Sequence, residues 1–118
     1  MEETYSIKLS KLIKEMRLGE VYLPTSADEI YISNPDVERP GLALTGFFEK
    51  FEKSRIQMFG KAEHAYLAEL SEAERKIHVE NYMKMKPAAL IFSSGLSVFD
   101  EILECADECG VPVLTSEE

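Results

Sequence analysis

The feature that most constrains the fold is a strand–helix–strand pattern near the carboxyl end of the sequence. Residues 88–92 are continuously apolar, which is typical of a strand covered on both faces. An apolar-periodic segment that stops at Gly110 then predicts a helix, and residues 111–114 predict a second strand. Two strands joined by a crossover helix are parallel and almost always right-handed, so the pattern predicts a βαβ unit. Pro112 lacks a backbone donor, which places the last strand at or near the sheet edge.

A first helix is predicted near residues 7–17, where apolar side chains recur at helical spacing. Ser6 or Ser10 is available as its cap, and Gly19 as its stop. The helix would bury one apolar stripe and leave its lysines in solvent.

Two short strands and a loop are predicted next. Runs of β-branched and aromatic residues at 21–23 and 30–32, separated by a turn, predict strands that form a hairpin or an edge pair. Residues 33–40 are predicted as a loop, because Pro35 and Pro40 each disfavour helix at the preceding residue.

The middle of the chain adds a strand and two helices. Residues 56–59 predict a strand, and residues 62–70 predict the helix that follows it. Ser71 and Glu74 form a capping box, in which each side chain satisfies the other's backbone donor, so another helix is predicted through about Met85. With 118 residues, the chain is predicted to be one α/β domain.

The composition excludes two classes of partner. A formal net charge of −9 repels a polyanion, so no nucleic acid partner is predicted. No apolar run approaches the roughly 20 residues of a membrane span, and residues 1–4 lack the features of a secretory signal. A cytoplasmic protein with no membrane partner is therefore predicted.

Cysteine and histidine spacing predicts no metal site. Cys105 and Cys109 are four residues apart in a predicted helix, where a disulfide would be strained, so reduced thiols are expected. They could supply two zinc ligands, but no residues at recognisable spacing complete the set. His64 and His78 stand alone on separate predicted helices.

The sequence also lacks a phosphate-binding loop. A Walker motif needs a glycine where Arg55 stands, and a Ser or Thr where Ala62 follows Gly60 and Lys61. No catalytic or cofactor-binding residue is therefore predicted, and Gly60 is assigned a structural role between strand and helix.

One loop is a candidate for binding a small anion. Ser93, Ser94 and Gly95 follow a predicted parallel strand, and Ser97 with Asp100 is predicted to cap the next helix. Open α/β sheets commonly place ligands at this end of a strand, close to the free N–H groups of a helix. The alternative is an ordinary loop without a ligand.

Three phenylalanines lie within five residues, at Phe47, Phe48 and Phe51. Such a cluster belongs either to the core or to an assembly surface. The sequence leaves both interpretations open.

Residues 39–67 carry an ordered set of motifs that resembles the amino-terminal domain of HPr kinase/phosphorylase, a bacterial enzyme that phosphorylates and dephosphorylates a serine of the phosphocarrier HPr. The matching residues, to which we assign structural roles, are Arg39, Pro40, Gly41, Leu42, Gly46, Phe47, Phe48, Arg55, Ile56, Gln57, Gly60, Glu63, Tyr66 and Leu67. The chain departs from the family at Ser93-Ser94-Gly95, where Thr-Arg-Gly is frequent, and at His64, where an apolar residue is usual.

The resemblance implies a fold and a division of labour. The fold is a three-layer α/β sandwich with a small, mainly parallel sheet, similar to the amino-terminal domain of the Mur ligases. Residues 1–118 would be the non-catalytic domain, with a structural or regulatory role in the control of carbon metabolism. ATP, Mg²⁺ and catalysis would belong to a P-loop domain outside this chain.

The resemblance also implies partners. They are the protein's own catalytic domain, further copies in a homo-oligomer, and the phosphocarrier HPr. Two alternatives are a small-ligand sensor, which binds a nucleotide-sugar or a sugar phosphate through residues 93–97, and a stand-alone interaction domain.

Overall fold

The structure is a computed structural model that describes residues 5–118. Residues 1–4, from which the lack of a secretory signal was partly predicted, lie outside this range. The strands β1 to β7 span Ile7–Lys8, Gly19–Tyr22, Tyr31–Ile32, Val37–Glu38, Ile56–Phe59, Ala89–Phe92 and Val113–Thr115. The helices α1 to α5 span Leu9–Met16, Gly41–Leu44, Lys61–Glu69, Glu72–Met83 and Asp100–Cys109.

A five-stranded sheet forms the centre of the domain, in the order β2-β7-β6-β5-β4. Strands β4, β5, β6 and β7 are parallel, whereas β2 runs antiparallel to β7. The predicted α/β fold with a mainly parallel sheet is confirmed, as is the βαβ unit formed by β6, α5 and β7.

Helices cover both faces of this sheet and make three layers. On one face, α2, α3, α4 and α5 pack against side chains that include Phe59, Leu90 and Phe92. On the other face, α1 and the short antiparallel pair of β1 with β3 cover Ile56 and Ile91. Successive residues of β6 alternate between the two cores, which explains why that whole strand is apolar.

The last strand lies near the sheet edge, as predicted, but it is not the edge strand. Strand β7 lies inside the sheet, between β2 and β6. Pro112 precedes the strand, so its missing N–H falls outside the ladder, and its carbonyl oxygen accepts from the N–H of Leu90 at 2.9 Å.

The early strands are also paired differently from the prediction. Strands β2 and β3 do not form a hairpin, because β2 pairs with β7 and β3 pairs with β1. Within the predicted loop 33–40, Val37 and Glu38 form β4, an edge strand paired with Ile56 and Gln57 of β5.

Several helix boundaries agree with the sequence. The capping box of α4 is present, with the N–H of Glu74 donating to the hydroxyl oxygen of Ser71 at 3.2 Å. Helix α5 ends at Gly110, whose φ of 70° is left-handed. These signals are local in sequence, so they could be read without knowing the tertiary structure.

Other predicted caps are wrong. Lys8 is the residue before α1, and its side chain makes no capping hydrogen bond. The helix is followed by Arg17 in a left-handed conformation. Gly19 is instead the first residue of β2. Helix α5 begins at Asp100 with Phe99 before it, so Ser97 is not its cap.

Candidate functional site

The motif residues converge where β4 and β5 end. Arg39 follows β4, Gly60 follows β5, and Glu63 lies in the first turn of α3. Oxygen Oε1 of Glu63 accepts from Nη2 of Arg39 at 2.7 Å and from the N–H of Gly60 at 2.8 Å. We call these three residues the Arg39–Glu63 clasp. It ties together two loops that start from neighbouring parallel strands.

Burial and charge together hold the clasp. The side chain of Glu63 is 7% exposed, whereas that of Arg39 is 59% exposed. Burial by itself would raise the pKa of Glu63, but the hydrogen bonds from Arg39 and from backbone N–H groups outweigh it and lower that pKa. The carboxylate is therefore held in its ionised form.

Gly60 lies directly against the guanidinium of Arg39. Gly60 has an extended backbone, with φ −106° and ψ −166°, which other residues also adopt. A Cβ at this position would collide with the guanidinium of Arg39. The clasp in its observed geometry therefore leaves no room for a side chain at this position, and the structural role assigned to Gly60 stays a prediction.

A second polar cluster lies beside the clasp and is centred on Glu38. Its carboxylate accepts from Nη1 of Arg55 at 3.1 Å, from Nε2 of Gln57 at 3.1 Å and from the N–H of Glu52 at 3.3 Å. Gln57 is fully buried, and its Oε1 has no hydrogen-bond partner among residues 5–118. The hydroxyl of the fully buried Tyr82 is also unpartnered within that range.

A cavity of about 200 Å³ opens next to the Arg39–Glu63 clasp and the polar cluster around Glu38. Its lining residues are Glu38, Arg39, Pro40, Leu42, Ala43, Phe47, Lys50 and Phe51. Two basic residues, one acidic residue and several apolar residues therefore line the same space. We call this the Arg39 cavity.

The aromatic cluster divides between core and surface. Phe48 and Phe51 are half-buried, with their ring centroids 6.1 Å apart, and Phe51 packs edge-on against Tyr82 at 5.7 Å. Phe47 is 45% exposed. It follows Gly46, whose φ of 101° favours glycine. Phe48 and Phe51 therefore belong to the core, and an assembly surface at the exposed Phe47 stays a prediction.

The remaining motif residues shape the turn into α2. Pro40 is buried and immediately precedes this helix, and Gly41 is its first residue. Because α2 is only four residues long, these two positions mainly set the direction of the chain between β4 and the aromatic cluster.

The predicted anion loop has its backbone donors occupied. The N–H of Ser94 donates to the carbonyl oxygen of Glu118 at 2.9 Å, and that of Gly95 to the carbonyl oxygen of Ser116 at 3.0 Å. The carboxylate of Glu117 lies near Gly95. This arrangement disfavours an anion, and a ligand at this loop remains a prediction.

The two other serines of that loop also contact the protein. The hydroxyl of Ser93 donates to the carbonyl oxygen of Phe59 at 3.0 Å, which joins the ends of β6 and β5. The carbonyl oxygen of Ser97 lies 3.1 Å from Nε2 of His64. These bonds hold the loop at the carboxyl ends of the parallel strands, where the clasp also lies.

Both histidines contact neighbouring elements. The ring of His64 packs on the ring of Phe99, with 4.6 Å between their centroids. The guanidinium of Arg75 lies 4.8 Å from the centroid of the Phe99 ring. Nδ1 of His78 lies 2.9 Å from the carbonyl oxygen of Leu44, a contact that requires a proton on Nδ1. Within residues 5–118, no three potential metal-ligating side chains lie close together.

Both cysteines are free thiols, as predicted. Burial, followed by nearby carboxylates, raises the pKa of Cys105 to about 11, so this thiol stays protonated at neutral pH. No helix within residues 5–118 is long and apolar enough to cross a bilayer.

The fold defines a three-layer α/β domain, and residues 5–118 contain no Walker sequence motif. The chain belongs to the HPr serine kinase N-terminus family, whose model matches residues 7–118. This confirms the resemblance inferred from residues 39–67. The likeness to the Mur ligase domain remains a prediction.

Curated relatives give the extent of the match. The chain is 34% identical over 114 residues to the HPr kinase/phosphorylase of Lachnoclostridium phytofermentans, covering 97% of this chain and 37% of the relative. It is 38% identical over 111 residues to that of Alkaliphilus metalliredigens, covering 94% and 36%. The Lactiplantibacillus plantarum protein is 34% identical over 109 residues, covering 92% and 35%. The chain spans just over a third of the length of these relatives.

Proposed function

We propose that residues 1–118 are the non-catalytic amino-terminal domain of a bifunctional HPr serine kinase/phosphorylase, with a structural or regulatory role in the control of carbon metabolism. One observation carries the proposal. The family of amino-terminal domains matches residues 7–118, while the chain covers only 35–37% of the three relatives described above.

The turn after β5 supports the absence of phosphoryl transfer in this chain. A phosphate loop presents free backbone N–H groups to an anion at the start of a helix. Here the N–H of Gly60 already donates to the carboxylate of Glu63, which is almost fully buried. The negative charge of Glu63 therefore occupies the place where a phosphate would bind.

The remaining roles of the proposed parent protein lie outside this chain. ATP and Mg²⁺ would bind to its catalytic part, which would correspond to the portion of the relatives that the chain does not cover. The proposed partners of this domain are that catalytic part, other copies in a homo-oligomer and the phosphocarrier HPr. The proposed location is the cytoplasm.

The test replaces the matching region of the Lachnoclostridium phytofermentans protein with this chain. Four proteins are compared: the chain alone, the natural relative, the chimera, and the relative with the matching region deleted. Phosphate transfer to HPr from ATP, oligomeric state and the response to metabolites are measured for each.

The chain alone should transfer no phosphate, and the chimera should behave like the natural relative. The deleted protein should keep phosphoryl transfer but differ in assembly or in its response to metabolites. Turnover by the chain alone would overturn the non-catalytic assignment. A deleted protein that matches the natural relative in every measurement would overturn the structural or regulatory role.

A further inference from the structure

We infer that the Arg39 cavity is a binding site for a small organic anion, in which a carboxylate or phosphate group is attached to an apolar ring. The inference concerns a site on this chain alone and goes beyond the proposed function. A result that refutes the inference therefore does not refute the proposed function, and the reverse also holds.

The walls of the cavity suit an apolar ring. Pro40, Leu42 and Ala43 form one wall, and Phe47 and Phe51 contribute aromatic rings. Leu42 is 64% exposed and Phe47 is 45% exposed, so both lose exposed apolar surface when a ring is bound. The volume of about 200 Å³ is small for a ligand pocket but sufficient for one substituted ring.

Two cations at the cavity suit an oxyanion. Arg39 uses Nη2 for the clasp with Glu63, and its half-exposed guanidinium makes no other hydrogen bond with residues 5–118. Lys50 is exposed and has no ion-pair partner within that range. Both side chains can therefore donate to a bound oxyanion at little cost to existing contacts.

The carboxylate in the cavity wall is already compensated. Glu38 accepts from Arg55, from Gln57 and from the N–H of Glu52, as described above. Because its charge is balanced by Arg55, it opposes an incoming anion less than a free carboxylate would. Of the two cations that line the cavity, Arg39 is paired with Glu63, so Lys50 is the one without an ion-pair partner within residues 5–118.

Two buried polar side chains adjoin residues of the cavity wall without lining the cavity themselves. Gln57 donates to the cavity-lining Glu38, and Tyr82 packs against the cavity-lining Phe51. Oε1 of Gln57 and the hydroxyl of Tyr82 are both buried and unpartnered within the described chain. Such atoms are rare in folded proteins and call for a functional or structural reason.

The experiment is an NMR titration of the 118-residue chain with four probes. Benzoate and phenyl phosphate carry both the ring and the oxyanion, and comparing them separates the two oxyanion types. Inorganic phosphate carries the charge alone, and benzyl alcohol carries the ring alone. The Lys50→Gln variant removes a cavity cation, and Lys53→Gln is the matched control, since Lys53 is an exposed lysine of the same loop that does not line the cavity.

At least one of the two aromatic anions should shift the resonances of Arg39, Phe47, Lys50 and Phe51, and should bind at least tenfold more tightly than inorganic phosphate or benzyl alcohol. Lys50→Gln should weaken its binding about tenfold, the worth of one charge-assisted hydrogen bond, while Lys53→Gln leaves it unchanged. Shifts confined to other regions, equal binding of either partial probe, or equal weakening by the two variants would each overturn the inference. Both variants alter exposed side chains, so misfolding is not expected to obscure the result.

Discussion

Replacing Glu63 with alanine should destabilise the domain substantially. The carboxylate accepts from the N–H of Gly60 at 2.8 Å and from Arg39 at 2.7 Å, and its side chain is 7% exposed. Removal leaves the buried N–H of Gly60 without an acceptor at the start of α3. Arg39, by contrast, is half-exposed and can be solvated by water, so its ion pair contributes less.

The magnitude follows from these contacts. Loss of the charged acceptor for this buried N–H, which is also the capping contact of α3, costs about 1.5–3 kcal/mol of unfolding free energy. With a urea m-value of about 1–3 kcal/mol/M for a domain of this size, the midpoint should fall by about 1 M. Far-UV circular dichroism is a suitable probe because the sequence contains no tryptophan.

The matched control is Glu69→Ala, at the exposed carboxyl end of the same helix. Its free energy of unfolding should stay within about 0.5 kcal/mol of that of the unmodified chain, so its urea midpoint should change little. If Glu63→Ala changed the midpoint no more than this control does, the clasp would not stabilise the fold and the reasoning would be refuted.

The pH dependence of the same variant gives a second check. The folded state lowers the pKa of Glu63, so its ionisation contributes stability that is fully present above the unfolded pKa of about 4.3 and is lost as pH falls through the folded value. The stability difference between the unmodified chain and Glu63→Ala should therefore narrow on acidification below about pH 4. A difference that stays constant down to pH 2 would contradict the sign of this shift.

The remaining predictions use the same denaturation assay or thiol chemistry. Gly60→Ala should destabilise the unmodified chain by no more than Arg39→Ala does, because the added methyl group only displaces the half-exposed guanidinium, and it should have no such effect in the Arg39→Ala variant; equal effects in both backgrounds would contradict this. Tyr82→Phe should leave the urea midpoint unchanged or raise it, since the lost hydroxyl is buried without a partner among residues 5–118; a clear loss of stability would show that the hydroxyl is satisfied. A thiol reagent at pH 8 should modify Cys109 in the folded protein and Cys105 only after unfolding, and rapid modification of both would contradict the burial of Cys105.

The elements predicted best are those specified by local signals. The apolar run of β6, the capping box at Ser71 and the stop at Gly110 each depend on residues close together in sequence. Strand pairing depends on distant residues instead. Val37 and Glu38 show no strand pattern of their own in the sequence. They form the two-residue strand β4 through their pairing with β5.

The candidate site was predicted only in part, for the same reason. Arg39, Gly60 and Glu63 were recognised as motif residues, but the contact between Arg39 and Glu63 spans 24 positions and has no local signal. Glu38 and Lys50 were missed, because a carboxylate in a predicted loop and an exposed lysine are both common. The serine loop at 93–97 was identified by its position after a strand, which does not reveal that its backbone donors are occupied.

The pairing of β2 with β7 has a consequence for synthesis of the protein. Gly19 lies opposite Thr115 across this antiparallel ladder, so β2 can pair only after β7 has been synthesised. While the polypeptide is still emerging from the ribosome, β6 has one bare edge and β2 has no neighbour at all. We therefore expect that chaperones must protect the nascent chain until residue 115 has left the ribosome. We also expect shorter fragments to aggregate.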